Sequence, residues 1–284
     1  MLALPEKKKV PILMYHSISH DASPKFKPFA VSPELFAKHM AYLHEHGYTP
    51  ITVTQFANAL IQGGSALPER PVVLTFDDGF ADFFTDALPV LERYSFTATL
   101  YVTTAFVNGT SCWLRREGED QRPILTWDQL AEISMRGIEC GGHGHYHHQL
   151  DILPHTKARD EIVHCKEILE DRLGRAVTSF AYPYGYHSTT TQRLVREAGY
   201  TSACAVKHAM SSTSTDPYAL ARLMVRADTD VDSFAALLTG HSLSVITMMY
   251  LRARTPAWQL ARCSSALIRR YLQGGLLSND RCNI

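Results

Sequence analysis

No run of apolar residues in this 284-residue chain approaches the roughly 18 that a membrane span requires. The opening segment, MLALPEKKKVPILMYHS, has lysines but lacks an apolar stretch of signal-peptide length. The expectation is therefore a soluble, cytoplasmic protein whose substrate lies inside the cell, within reach of the inner membrane face. A C-x-x-C pair is also missing. The six cysteines, Cys112, Cys140, Cys165, Cys204, Cys263 and Cys282, are widely spaced. That argues against a zinc knuckle or a disulfide framework and for mostly buried free thiols in a reducing compartment. There is no excess of either charge: 28 basic residues balance 28 acidic ones, which disfavours a nucleic-acid partner. Internal repeats and low-complexity segments are absent as well.

What is present is ordinary globular composition and an alternating pattern. Apolar residues make up 45% of the chain, and its length allows one large α/β domain or two small ones. Strand-like runs at 10–18, 71–76, 97–104, 138–144, 179–185 and 200–206 alternate with helix-like ones. The helices are expected at 32–47, 81–94, 126–137, 156–174, 189–199 and 230–240, with a possible kink at Pro89. This alternation predicts a parallel sheet with crossover helices, either open or closed into a barrel. Function then collects at the carboxyl ends of the strands. The polar stretch from Asn108 to Pro123 reads as an inserted loop. The segment after residue 240 is different: Arg252, Arg254, Arg262, Arg269 and Arg270 punctuate SLSVITMMYLRARTPAWQLARCSSALIRRYLQGG, which holds no acidic residue. Two amphipathic helices broken near Pro256 fit it, either as a cap on the domain or as a basic surface for a membrane or a partner.

Three strand ends carry unusual residues: Asp77-Asp78-Gly79, the run GGHGHYHHQL with His143, His145, His147 and His148, and AYPYG at 181–185. Adjacent carboxylates repel unless a cation sits between them or one is kept ready for a proton. His143 and His147, four apart, would project to one side on a helical turn. One aspartate with two histidines is a facial donor set for a divalent ion with open positions. Such an ion lowers the pKa of a water, and a neighbouring carboxylate can take the proton. On this reading one aspartate binds metal and the other is the base. Taken singly, D-D-G also marks turns, and the histidines also suit a solvated loop; their placement at successive strand ends is what joins them.

These residues resemble the polysaccharide deacetylases, carbohydrate esterase family 4, which share the nodulation-factor deacetylase homology domain. The resemblance runs over residues 10–240 through MYHSI, VVLTFDDGFADF, TATLYV, LTWDQLAEISMRGIECGGHGHYHHQL, SFAYPYG and ARLMV, in the family's order. Its flavour is that of the branch associated with exopolysaccharide and glycosyltransferase clusters. The resemblance implies a distorted (β/α) barrel over residues 1–240, with 241–284 as a C-terminal helical extension. It implies a metal-dependent hydrolase that removes acetyl groups, chiefly N-acetyl, from a sugar or oligosaccharide. Carried over, Asp77 is the general base and Asp78, His143 and His147 the metal ligands. Tyr184 offers its backbone N–H to the oxyanion. Zinc is the default ion, with cobalt, nickel or iron as alternatives.

The chain departs from the family pattern at several points. Gly144 stands where the second motif has Ser or Thr, and His148 where it has proline, so the hydroxyl that braces that loop is missing. Ala181 stands where an arginine often orients the base. No late L-x-L-x-H motif supplies the acid, and the candidates are His16, then His241; a buried, backbone-bonded His16 is the competing reading. His145 is expected to point away as a surface neighbour. Two further functions stay open: a C–N amidase acting on a small non-sugar amide, and a non-catalytic scaffold with a disabled site.

Overall fold

The computed structural model describes residues 9–240 except 65, 207, 208 and 213. Eight parallel strands form the central sheet: β1 (Ile12–Tyr15), β2 (Thr49–Ile51), β3 (Pro71–Phe76), β4 (Thr99–Val102), β5 (Glu139–Gly142), β6 (Ser179–Ala181), β7 (Ser202–Val206) and β8 (Leu220–Met224). Seven of them close in the order β1-β8-β7-β6-β5-β4-β3, and β3 returns to β1 from Ile12↔Val73 to Tyr15↔Phe76. Strand β2 lies on the other edge of β3, below its contact with β4. The expected barrel is therefore closed. PVVLTF in β3 is buried at every residue, as a parallel strand covered on both faces must be.

The helices cover the outside, and their ends follow the chemistry of the sequence. Ser32 caps α1 (Pro33–Glu45) by accepting a bond from the Leu35 N–H. Helix α2 is Val53–Ile61, α3 is Leu88–Arg93 and α4 is Trp127–Met135. Thr52 with Gln55, and Thr126 with Gln129, form capping boxes at the starts of α2 and α4. Helix α5 (His155–Leu173) stops at Gly174, and α6 (Thr189–Glu197) and α7 (Val231–Thr239) complete the ring. The kink expected at Pro89 takes the form of a π-wound turn, Phe83–Ala87, before α3, because Pro89 has no N–H to continue the ladder.

Several expectations need correcting. The run 10–18 is not one strand: β1 ends at Tyr15, and Ser17–Ile18 pairs separately with Ala30–Val31. Strand β2 and helix α2 were not expected; the strand has only three residues and includes a proline. The two elements plug the amino-terminal mouth of the barrel, where the Val53 N–H bonds Thr99 Oγ1 and the Thr54 N–H bonds Glu139 Oε2. Strand β8 was matched by resemblance but not read as a strand. Cys140, Cys165 and Cys204 are buried free thiols, whereas Cys112 is disulfide-bonded. No helix among the described residues is long and apolar enough to cross a membrane. The helical extension over 241–284, its basic surface and His241 lie outside the described residues.

Candidate metal centre

At the top of the barrel the β1–β3 ladder runs one residue past β3, with the Asp77 N–H bonded to the Tyr15 carbonyl at 3.0 Å. The chain then turns through left-handed backbone at Asp78 (φ 76°) and Gly79 (φ 80°). Glycine takes this conformation freely, while at Asp78 it is strain of the kind concentrated at functional sites. The turn separates the two carboxylates. Asp77 stays with the barrel interior, and Asp78 meets the histidines.

Asp77 is held by a residue the sequence reading did not assign. Arg222, in the middle of β8, is fully buried and grips both carboxylate oxygens, Nη1 to Oδ1 at 2.6 Å and Nη2 to Oδ2 at 2.7 Å. Its Nη1 also bonds Thr75 Oγ1, and Tyr101 lies beneath the guanidinium. Burial pushes the Asp77 carboxyl up, but Arg222 and then His143 outweigh it and hold it below the ordinary carboxylate range. The arginine missing at Ala181 is thus supplied from a different strand. The sequence held one clue: an arginine inside the apolar run YALARLMV must be buried on a parallel strand, and a buried guanidinium needs an anion.

His143 follows β5, with its N–H bonded to the Val102 carbonyl. Its Nδ1 lies 2.8 Å from the Ala181 carbonyl, which can only accept, so Nδ1 carries the proton. Nε2 is then a bare lone pair, 3.5 Å from Asp78 Oδ1 and 3.9 Å from Asp77 Oδ2. Burial, against the pull of Asp77, lowers the His143 pKa to about 4 and keeps the ring neutral. His147 Nε2 stands 3.1 Å from the same Asp78 oxygen, and His147 Nδ1 is buried without a hydrogen bond. The expected helical turn between the histidines does not form. Gly144 (φ 78°) and His147 (φ 58°) are left-handed, and a tight loop brings the two rings to 4.9 Å.

Asp78, His143 and His147 offer three donor atoms within 4.8 Å of one another, all on buried residues. Burial raises the Asp78 carboxyl, but His147, His16 and His143 overcome this and set it well below the ordinary range. Asp78 Oδ1 nevertheless has no hydrogen bond. A buried, ionised, unbonded carboxylate oxygen facing an imidazole lone pair is costly by itself and is satisfied by a cation. These residues fit a divalent metal, with the carbonyl-fixed tautomer of His143 as the supporting contact.

The other candidates surround this group. Tyr184 lies in the turn after β6 at φ 60°, with its ring 4.7 Å from that of His147. His16 follows β1; it is half-buried, its Nδ1 has no hydrogen bond, and it bears electrostatically on both Asp77 and Asp78. The backbone-bonded reading of Nδ1 therefore finds no partner. His145 turns away, with Nδ1 2.8 Å from Thr104 Oγ1. The loop at 108–123 is folded, with a 3-10 turn over Cys112–Glu117, and it sets Trp113 against His147 at 5.3 Å. Trp113 was not among the expected site residues.

Known proteins share this arrangement of elements. Residues 64–203 match the sequence model of the family described as polysaccharide deacetylase. YxkH of Bacillus subtilis, provisionally named a polysaccharide deacetylase, is 29% identical over 230 residues, covering 81% of this chain and 76% of its own. The poly-beta-1,6-N-acetyl-D-glucosamine N-deacetylase of Escherichia coli is 29% identical over 135 residues, 46% of this chain but 20% of that protein. Among solved structures, the Streptococcus pyogenes deacetylase PplD, in complex with acetate, superposes with a TM-score of 0.71 at 25% identity, covering 83% of this chain and 99% of that one. Over residues 64–203, just under half of its length, this chain is similar to the polysaccharide deacetylase family.

Proposed function

We propose that the chain hydrolyses acetyl groups, N-acetyl in particular, from a carbohydrate, using a divalent metal held by Asp78, His143 and His147. The observation that carries this is the pairing of two differently bound carboxylates. Asp78 faces the two imidazoles, and Asp77 beside it is gripped by a buried arginine. The donors, two imidazole nitrogens and one carboxylate oxygen, suit zinc, and they also accept cobalt, nickel or iron. When bound, such an ion supplies Lewis acidity at this corner of the barrel.

The chain's own groups do the rest. Asp77, kept ionised and oriented by Arg222, takes the proton of the attacking water. The Tyr184 backbone N–H serves the oxyanion that develops on the acyl carbon. His16, at the end of β1 beside the Asp77 strand, protonates the departing amine, so that acetate and a free amino sugar leave. The E. coli relative, an N-deacetylase of poly-beta-1,6-N-acetyl-D-glucosamine by name, supports an N-acetyl preference and a substrate of that type.

The test is acetate release from β-1,6-linked N-acetylglucosamine oligomers by the zinc-loaded full chain. The parent should release acetate, and Asp77→Asn should lose at least about a hundredfold. Asp77→Asn activity equal to the parent's would refute the assignment of the base.

A further inference from the structure

The second motif of this chain lacks its usual hydroxyl, yet the loop between the metal histidines is firmly tied. Glu161, one and a half turns into α5, is buried with 5% of its surface exposed. Its Oε2 accepts the backbone N–H groups of His145 (2.9 Å) and Tyr146 (2.8 Å), and its Oε1 lies 2.8 Å from His148 Nδ1. One carboxylate thus gathers three donors from the segment between and just beyond His143 and His147. Such charge-assisted bonds offset the cost of burying it.

The two departures in the motif match this carboxylate. Gly144 is left-handed, and a Cβ there would sit 3.3 Å from Glu161 Oε2, tighter than ordinary contact. A serine or threonine would crowd the carboxylate. His148, where the family has proline, supplies the third donor. Proline has no side-chain donor to offer.

We infer that Glu161 is the positioning residue of the metal site. It brackets the His143–His147 loop in ligating shape and takes the place of the missing hydroxyl. Gly144 and His148 are its matched partners, so the altered motif is a different brace and not a disabled site. This inference rests on the reading that Asp78, His143 and His147 bind a divalent ion.

Two substitutions separate reach from charge. Glu161→Gln keeps the length and an oxygen able to accept both N–H groups. Glu161→Asp keeps the charge but withdraws it by one methylene. Zinc affinity of the metal-free full-length protein is measured by competition with a chromophoric chelator, and amide hydrogen exchange over 144–148 is followed without metal. Glu161→Gln should bind zinc within about threefold of the parent. Glu161→Asp should bind about 10- to 100-fold more weakly. Exchange at His145 and Tyr146 should quicken in Glu161→Asp, while α5 beyond its first turns stays protected. Parental affinity and exchange in Glu161→Asp would overturn the bracket, as would a Gln variant damaged as badly as the Asp one. A parent that takes up no zinc would sink the metal reading itself, leaving the bracket to be decided by exchange alone.

Discussion

Replacing Arg222 with methionine isolates the pair on which the proposed base depends. The substitution keeps an apolar stem of similar length and removes the cation from Asp77, which is 3% exposed. Breaking a buried pair by removing one partner costs about 3–5 kcal/mol. The cost has a ceiling, because Asp77 can escape it by taking up a proton. At pH 7, protonating a carboxyl whose unfolded pKa is about 3.9 costs about 4 kcal/mol; at pH 5 it costs about 1.5. The sign follows from the two folded pKa values. In the parent Asp77 lies below its unfolded value, so it contributes stability above about pH 4 that is lost as pH falls. In the variant burial is opposed only by the weaker pulls of His143 and His16, the folded pKa lies above the unfolded one, and the native state weakens as pH rises. The stability gap between the two proteins therefore widens with pH. Urea denaturation of the metal-free proteins at pH 5 and pH 7 should show about 1.5 and about 4 kcal/mol of loss, respectively. The acid limb of the variant's rate profile should also move up by about one to three pH units. A gap under about 1 kcal/mol at pH 7, or one independent of pH, would refute the claim that Arg222 keeps Asp77 ionised.

Other perturbations test separate parts of the account. His16→Ala should slow acetate release by about 10²–10⁴-fold with metal content unchanged, and near-parental turnover would remove His16 as the acid. Gly144→Ser, which restores the family's hydroxyl, should cost about 1–2 kcal/mol through its left-handed backbone (φ 78°) and weaken zinc binding; a gain in affinity would contradict the crowding at Glu161. His39, between Tyr15 and the Thr229 carbonyl, is pushed down to about 4 by burial. The unfolded chain therefore binds a proton that the native one refuses between about pH 6.5 and pH 4, and stability falls with acid by about 3 kcal/mol across that window. Comparing denaturation midpoints of the parent and His39→Gln at pH 7 and pH 4.5 checks this, since the variant should lack that part of the acid slope.

The site residues near each motif were legible because their chemistry is local. Asp77, Asp78, His143 and His147 are conspicuous at the ends of apolar runs, and strand ends of a parallel barrel converge. Their supports were not legible, because they come from far along the chain. Arg222 reaches Asp77 across 145 residues, and Glu161 reaches its loop from a helix that begins after it. Periodicity also misled where the chain is short or strained. β2, three residues long and carrying a proline, fell below the length at which a pattern shows, and the spacing of His143 and His147 suggested a helix where glycine and left-handed backbone make a loop. The loop at 108–123 looked inert because its polar composition hides one aromatic, Trp113, that folds onto His147.

The central claim is that Asp78, His143 and His147 hold one divalent ion despite the altered second motif. It is tested most directly by the metal content of the untagged, purified chain and of Asp78→Asn, measured by elemental mass spectrometry after incubation with zinc, cobalt and nickel. The account predicts about one ion per parent chain and a loss of at least about tenfold in affinity in the variant. A parent that retains no ion, or an Asp78→Asn protein that retains as much as the parent, would contradict it.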